Sequence, residues 1–371
     1  MLIKEIDSSI LEKFRKGTVI PAMPLALNEK REFDQPSQEA LTRYYMDAGA
    51  GGIAVGVHST QFAIREHGLF ERVLTCVSNA ADDWSQKTGN KIFKISGACG
   101  KTAQAVDEAK FALQAGYHAA MLSLVAMKEA GLSAMIDHCA KVAEVMPLVG
   151  FYLQAAVGGP DLPYPFWKQF MKIPNVVGIK IAPFNRYKTF DVVRALCEAG
   201  KESEITLYTG NDDTIVNDLI TEYKIAVNGS YKKVHIKGGL LGHWCVWTRK
   251  AVMLLDEIHT LIEDDKPIPG ELLTRGMEIT DCNAVFFDAA HNFAGCIPGI
   301  HEVLRRQGLL KGTWCLDPNE VLSPGQSDEI SRVYAAYLHL NDDDFIKSNL
   351  PKWHSPFEGG QGDVTSKGRE H

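Results

Sequence analysis

The sequence predicts a closed (β/α)8 TIM barrel followed by a C-terminal helical extension, and two observations carry that prediction. From about residue 18 to about 240, short apolar, β-rich runs alternate with longer stretches of helical period, the pattern of repeated βα units on a parallel sheet. Beyond about residue 242 the strand signal stops and only helical period remains. The chain therefore divides into a barrel at 1–241, a helical extension at 242–350 and a Gly-rich, polar, flexible tail at 351–371. A length of 371 residues suits one barrel with an appendage.

The candidate strands, in order, are TVIPAM (18–23), GIAVG (52–56), KIFKIS (91–96), AAMLSL (119–124), LVGFYL (148–153), VVGIKI around Lys180, ITLYTG (205–210) and a weaker VHIKGG (234–239). They are apolar throughout instead of alternating, as parallel strands covered on both faces must be. Between them SQEALTRYYMDAG, AQAVDEAKFALQAG and KTFDVVRALCEAG read as helices, each closing on a glycine free to take the left-handed conformation. In the extension, helices are expected in HWCVWTRKAVMLLDEIHTLI, GIHEVLRRQGLL and SDEISRVYAAYLHL, with the polar, Pro-containing break EDDKPIPGE after the first. An open doubly wound sheet would give similar units. No G-x-G-x-x-G follows the first strand, which counts against dinucleotide binding.

Composition removes several function classes. Hydrophobic residues at 45% and charged residues at 23% describe an ordinary globular chain, not a disordered one. The formal net charge is −7 with no dense Lys/Arg run, so no nucleic-acid partner is expected. No segment has the length and apolarity of a membrane span or a secretory signal, and a cytoplasmic location is expected. The eight cysteines are scattered without a C-x-x-C pair and read as reduced thiols. His235, His243 and His291 have no metal-ligand spacing, so no metal and no other cofactor is expected.

One residue stands out against this background. Lys180 lies near the C-terminal end of a strand otherwise made of Val176, Val177, Gly178, Ile179 and Ile181, the end of a barrel where active sites form. Such a lysine either reaches solvent or a carboxylate such as Asp212, or is held in a dry site. There desolvation disfavours the ammonium and prepares the amine as a nucleophile.

The order of segments resembles the dihydrodipicolinate synthase and N-acetylneuraminate lyase family of class I aldolases. The resemblance runs from about Thr18 to about Leu340 and rests on VIPAMPL, FDQPSQEALTRYYMDAGAGGIAVG, FYLQ, PNVVGIKIA, TGNDD and the helix-rich end. It implies that Lys180 is the Schiff-base lysine and that Tyr152, on the fifth strand, is the catalytic tyrosine. A phenol there would pass protons between the amine, the carbinolamine oxygen and the substrate carbon; its structural alternative is a packed strand aromatic.

The resemblance also implies that the turn Val57-His58-Ser59-Thr60 replaces the family's Gly-Thr-Thr-Gly-Glu loop, which holds the substrate carboxylate. The hydroxyls are displaced to Ser59 and Thr60, and His58 is an added acid, base or donor, or else a polar loop residue. The TGNDD turn places Gly210, Asp212 and Asp213 at the rim, where lyases of the family bind sugar-acid hydroxyls; an Asp N-cap on TIVNDLITEY is the structural alternative. Gly239, after the eighth strand, allows a close approach to substrate or simply closes the barrel.

Two departures bear on substrate. The synthase branch's arginine falls on Val157 and its tyrosine pair on Ala126 and Met127, so dihydrodipicolinate synthase activity is not expected. The implied function is a Schiff-base-forming lyase, aldolase or dehydratase acting on pyruvate or a related 2-oxo acid. The alternative is an altered family member serving as a 2-oxo-acid-binding or regulatory protein. The resemblance further implies a homo-oligomer, a dimer or tetramer.

Overall fold

The computed structural model describes residues 1–355. Its parallel strands are β1 (Val19–Pro21), β2 (Gly52–Val55), β3 (Phe93–Ala98), β4 (Ala119–Leu122), β5 (Leu148–Leu153), β6 (Val176–Ala182) and β7 (Thr206–Thr209). An antiparallel hairpin, β8 (Tyr223–Val227) and β9 (Ser230–Val234), then precedes the last barrel strand, β10 (Gly238–Leu241). Neighbours bond in the order β1-β10-β7-β6-β5-β4-β3-β2. A parallel bridge between Ala22 and Ala54, with Met23 N–H donating to Ala54 C=O at 2.8 Å, joins the two ends and closes the barrel.

Helices between the strands cover the outside: α1 (Ser8–Lys16), α2 (Gln35–Asp47), α3 (Phe70–Thr88), α4 (Thr102–Gln114), α5 (Leu132–Ala143), α6 (Tyr164–Phe170), α7 (Arg186–Ala199) and α8 (Ile215–Ile220). Three of the glycines read as helix stops, Gly49, Gly116 and Gly200, adopt φ of +99°, +82° and +69°, the left-handed region where glycine carries no Cβ penalty. α1 seals the N-terminal mouth of the barrel. Its Phe14 stacks on Phe93 at 4.2 Å and on Tyr208 at 4.8 Å, and Tyr208 Oη donates to Phe14 C=O at 2.6 Å. With that end plugged, the C-terminal ends of the strands are left for a site.

The eighth barrel strand lies later than the sequence suggested. VHIKGG contributes only Val234 to a strand of the hairpin and its two glycines to β10. Tyr223, Ile225 and Val234 face inward while Lys224 and Tyr231 face out, and Asn228 and Gly229 turn at φ +49° and +80°. These are the left-handed positions of an Asn-Gly hairpin turn.

In the extension, α9 (Thr248–Glu263), α10 (Gly270–Phe286), α11 (Cys296–Arg306), α12 (Gln326–Ala336) and α13 (Asp343–His354) follow. Neither α10 nor α13 was among the helices named from sequence. α13 also carries the helical region past residue 350, and the rest of the expected tail, 356–371, lies outside the described residues. No helix among the described residues is long and apolar enough to cross a membrane.

Candidate active site

Lys180 sits on β6 directly opposite Phe151 of β5 and Tyr208 of β7. Side chains on neighbouring strands at the same register share a face, so Lys180 and Phe151 both point into the barrel. The lysine Nζ lies 4.7 Å from the centre of the Phe151 ring, and the residue is only 9% exposed. Burial lowers its pKa to about 8, with the Asp212 carboxylate and the Cys245 thiol opposing the shift. The contrast with Lys94 is instructive. That lysine is equally buried on β3, but its ammonium reaches Asp82 at 2.6 Å and Ser78 at 2.9 Å on α3, a paired charge on the outer face of the strand.

Gly210 makes room for the Lys180 side chain. A Cβ at Gly210 would lie 2.6 Å from Lys180 Cε and 2.8 Å from the Ala182 Cβ. Two residues on, Asp212 is buried and its Oδ1 accepts the His243 N–H at 2.9 Å. Burial raises its pKa to about 7, while the His243 amide and Lys180 hold it down. The expected N-cap role therefore falls away: α8 starts after Thr214 with no side-chain cap, because Asp212 turns toward the barrel axis. Asp213 is exposed and does not join the pocket; its carbonyl accepts from Thr280. Asn211 Oδ1 accepts the Phe184 N–H at 2.9 Å and pins the loop after β6, where Phe184 adopts φ +53°.

The loop after β2 forms a 3-10 turn over His58–Thr60. Thr60 Oγ1 donates to Met23 C=O at 2.6 Å and accepts from Gly56 and Val57 N–H, while Ser59 Oγ donates to Ala22 C=O at 2.6 Å. Both hydroxyls thus tie the turn to the end of β1, and Thr60 does not line the pocket. The first amides of the turn, His58 and Ser59, make no backbone hydrogen bond among the described residues. Behind the turn Arg65 bonds Gly56 C=O, Gly97 C=O and the Glu108 carboxylate. Burial, helped by the Lys180 charge, pushes the His58 imidazole down to about 4, so it is neutral at pH 7.

These groups converge on a cavity of about 70 Å³ lined by Val57, His58, Ser59, Lys180, Gly210 and Asp212. Val157, which the sequence comparison placed at the synthase arginine, lines it too. Apart from Gln154 the remaining wall is apolar, and it includes Phe151 and Phe184 from the barrel, and Phe287, Phe293, Cys296 and Ile300 from the extension. None of these six was expected from sequence. Phe151 had a signal, its place beside Tyr152 in the strand FYLQ; the residues from the extension had none, being brought in from over a hundred positions away.

Two expected residues stand elsewhere. Tyr152 lies on the outer face of β5, its ring 5.3 Å from that of Trp167 on α6, with its hydroxyl bonded to Asp161 at 3.1 Å and to Leu162 N–H at 3.3 Å. The one-residue parity of a strand puts Phe151 on the lysine's face and Tyr152 on the other. Gly239 serves packing: a Cβ there would lie 2.5 Å from the Trp244 ring. A larger cavity of about 340 Å³ beside α9 shares His243 with the neighbourhood of the site but holds none of the Lys180 cluster.

Residues 15–227 match the model of the dihydrodipicolinate synthetase family. No protein with a curated description matches the sequence. Among solved structures, the dihydrodipicolinate synthase of Oceanobacillus iheyensis superposes with a TM-score of 0.69 at 16% identity, over 89% of this chain and 99% of that one. The chloride-inhibited synthase of Acinetobacter baumannii, complexed with pyruvate, gives 0.67 at 17% identity over 86% and 98%. The N-acetylneuraminate lyase of Fusobacterium nucleatum gives 0.67 at 14% over 87% and 99%. At these identities the likeness speaks for the fold.

Proposed function

The chain belongs to the dihydrodipicolinate synthetase family, and on that premise we propose that it is a Schiff-base-forming lyase or aldolase acting on pyruvate or a closely related 2-oxo acid through Lys180. The observation that carries this reading is the buried Lys180 at the C-terminal end of β6, without an ion-pair partner among the described residues, with its pKa lowered to about 8 in the cavity it lines. A substantial fraction of such an amine is neutral near pH 7–8, where it can add to a carbonyl.

The chemistry follows from the arrangement. The Lys180 amine adds to C2 of the 2-oxo acid, and the carbinolamine loses its oxygen as water to leave a protonated imine. That cation accepts the electron pair of a bond at C3, whether a proton leaves or a C3–C4 bond breaks, and gives an enamine. Electrophile addition at C3 and hydrolysis of the imine return the free lysine. The unengaged His58 and Ser59 amides supply donors for the substrate carboxylate, and the aromatic wall excludes water from the imine.

The small cavity, with one carboxylate and four phenyl rings, supports a short, largely apolar partner over a polyhydroxylated chain. The reading includes a cytoplasmic homo-oligomer whose subunits each hold a complete site. Borohydride reduction with and without pyruvate, followed by intact mass, tests the proposal. A single pyruvate-dependent three-carbon adduct, absent from Lys180→Met, supports it; an unmodified protein refutes it.

A further inference from the structure

The residue facing Lys180 from β5 is Phe151, which has no proton to give or take, and Tyr152 is turned away behind the strand. Imine chemistry at Lys180 still needs a group that removes a proton from C3 and returns one to the electrophile's oxygen. This inference therefore rests on the Schiff-base reading and asks which side chain completes it.

Few candidates line the cavity. The Ser59 hydroxyl proton is committed to Ala22 C=O at 2.6 Å. The Cys296 thiol is driven well above its ordinary range by burial. Phe151, Phe184, Phe287 and Phe293 carry no titratable atom, and Gln154 does not titrate at physiological pH. His58 belongs to the turn whose amides the Schiff-base reading assigns to the substrate carboxylate, away from C3. Asp212 remains, on the turn after β7, two residues beyond the Gly210 that packs against the lysine. Its carboxylate is buried, oriented by the His243 N–H at 2.9 Å, and close enough to Lys180 for the two charges to act on each other.

We propose that Asp212 is the acid–base residue of this site, transferring the C3 proton that the tyrosine-less pocket cannot pass through a phenol. In the forward direction the Asp212 carboxylate takes a proton from C3 of the iminium. The C–H electron pair forms the C2–C3 double bond, and the imine pair moves onto nitrogen. When C3 attacks an aldehyde carbonyl, the carboxylic acid returns its proton to the developing alkoxide; cleavage runs the same steps backwards. A carboxylic acid whose pKa lies near neutrality suits both halves of the cycle. The apolar wall maintains that pKa by withholding water from the carboxylate.

The test separates imine formation from proton transfer in the full-length protein. Pyruvate is incubated with enzyme in deuterated buffer and loss of the methyl proton signal is followed by NMR. Borohydride trapping is run in parallel. Asp212→Asn keeps an oxygen for the His243 N–H and should trap pyruvate within a few-fold of the unaltered protein, while C3 exchange falls by about 100-fold or more. Tyr152→Phe, altered behind β5 and outside the cavity, should retain exchange. Exchange in Asp212→Asn within threefold of the unaltered protein would overturn the assignment, as would loss of exchange in Tyr152→Phe. Asp212→Glu, which keeps the titrating group, should recover part of the exchange, and no recovery in a folded Asp212→Glu would also count against it. If the unaltered protein traps no pyruvate, the Schiff-base reading itself fails and takes this assignment with it.

Discussion

Replacing Gly210 by alanine probes the fit between the barrel and its lysine. The new methyl carbon would stand 2.6 Å from Lys180 Cε, 2.8 Å from the Ala182 Cβ and 3.1 Å from Lys180 Cγ. Relaxed carbon–carbon contacts lie at about 3.5–4.0 Å, so roughly 1 Å must be found. The Ala182 Cβ is fixed to β6 and cannot yield, whereas the lysine is the end of a flexible chain. Gly210 also has no positive φ, so backbone strain plays no part. The lysine therefore moves. A displacement of about 1 Å at a reacting atom costs on the order of 100-fold in rate, and the overpacking itself about 1–3 kcal/mol of stability. The assay is the single-turnover rate of pyruvate-dependent trapping, alongside thermal denaturation. Gly239→Ala is the control, since its methyl would strike Trp244 and Leu241 away from the cavity. It should lose stability and keep its trapping rate. A Gly210→Ala protein that traps pyruvate at the unaltered rate would refute the argument that this glycine exists for Lys180.

Further outcomes follow from the same geometry. Tyr152→Phe should leave trapping and C3 exchange unchanged and lower stability by about 1–3 kcal/mol, because the buried Leu162 N–H loses its acceptor; denaturant unfolding and the trapping assay measure both halves. The trapping rate should rise with pH through about 8 as the ammonium releases its proton, and its midpoint should move down in Asp212→Asn, since the carboxylate holds the lysine pKa up; a pH–rate profile of reduction checks the sign. Pyruvate and aspartate semialdehyde together should give no cyclic condensation product by mass spectrometry, because Val157 offers no guanidinium where the second carboxylate would bind.

How much of this was legible beforehand depends on the range of the interaction involved. Lys180 was visible because one charged residue in an otherwise apolar parallel strand is a local anomaly. The Phe151/Tyr152 choice was not. Two adjacent aromatics can each face inward, and the parity is decided by pairing with β6, whose register shifts at Leu148/Val149. The Asn-Gly signal of the hairpin was present, yet the alternation around it was not read as strands, and the last barrel strand was placed a few residues too early. Asp212 was placed on the right turn and given a helix-capping alternative that the His243 amide excludes. Phe287, Phe293, Cys296 and Ile300 reach the pocket only through the packing of α10 and α11 on the barrel, and no local pattern encodes that contact.

The central claim is that Lys180, and no other buried lysine, forms the imine. Peptide mapping of the protein reduced by borohydride in the presence of pyruvate measures this directly. Lys94 is the internal comparison: equally buried on a barrel strand, but paired with Asp82 on the outer face. The account predicts one three-carbon adduct, on the peptide containing Lys180, with Lys94 unmodified. An adduct on Lys94 or spread over surface lysines, with Lys180 untouched, would contradict it.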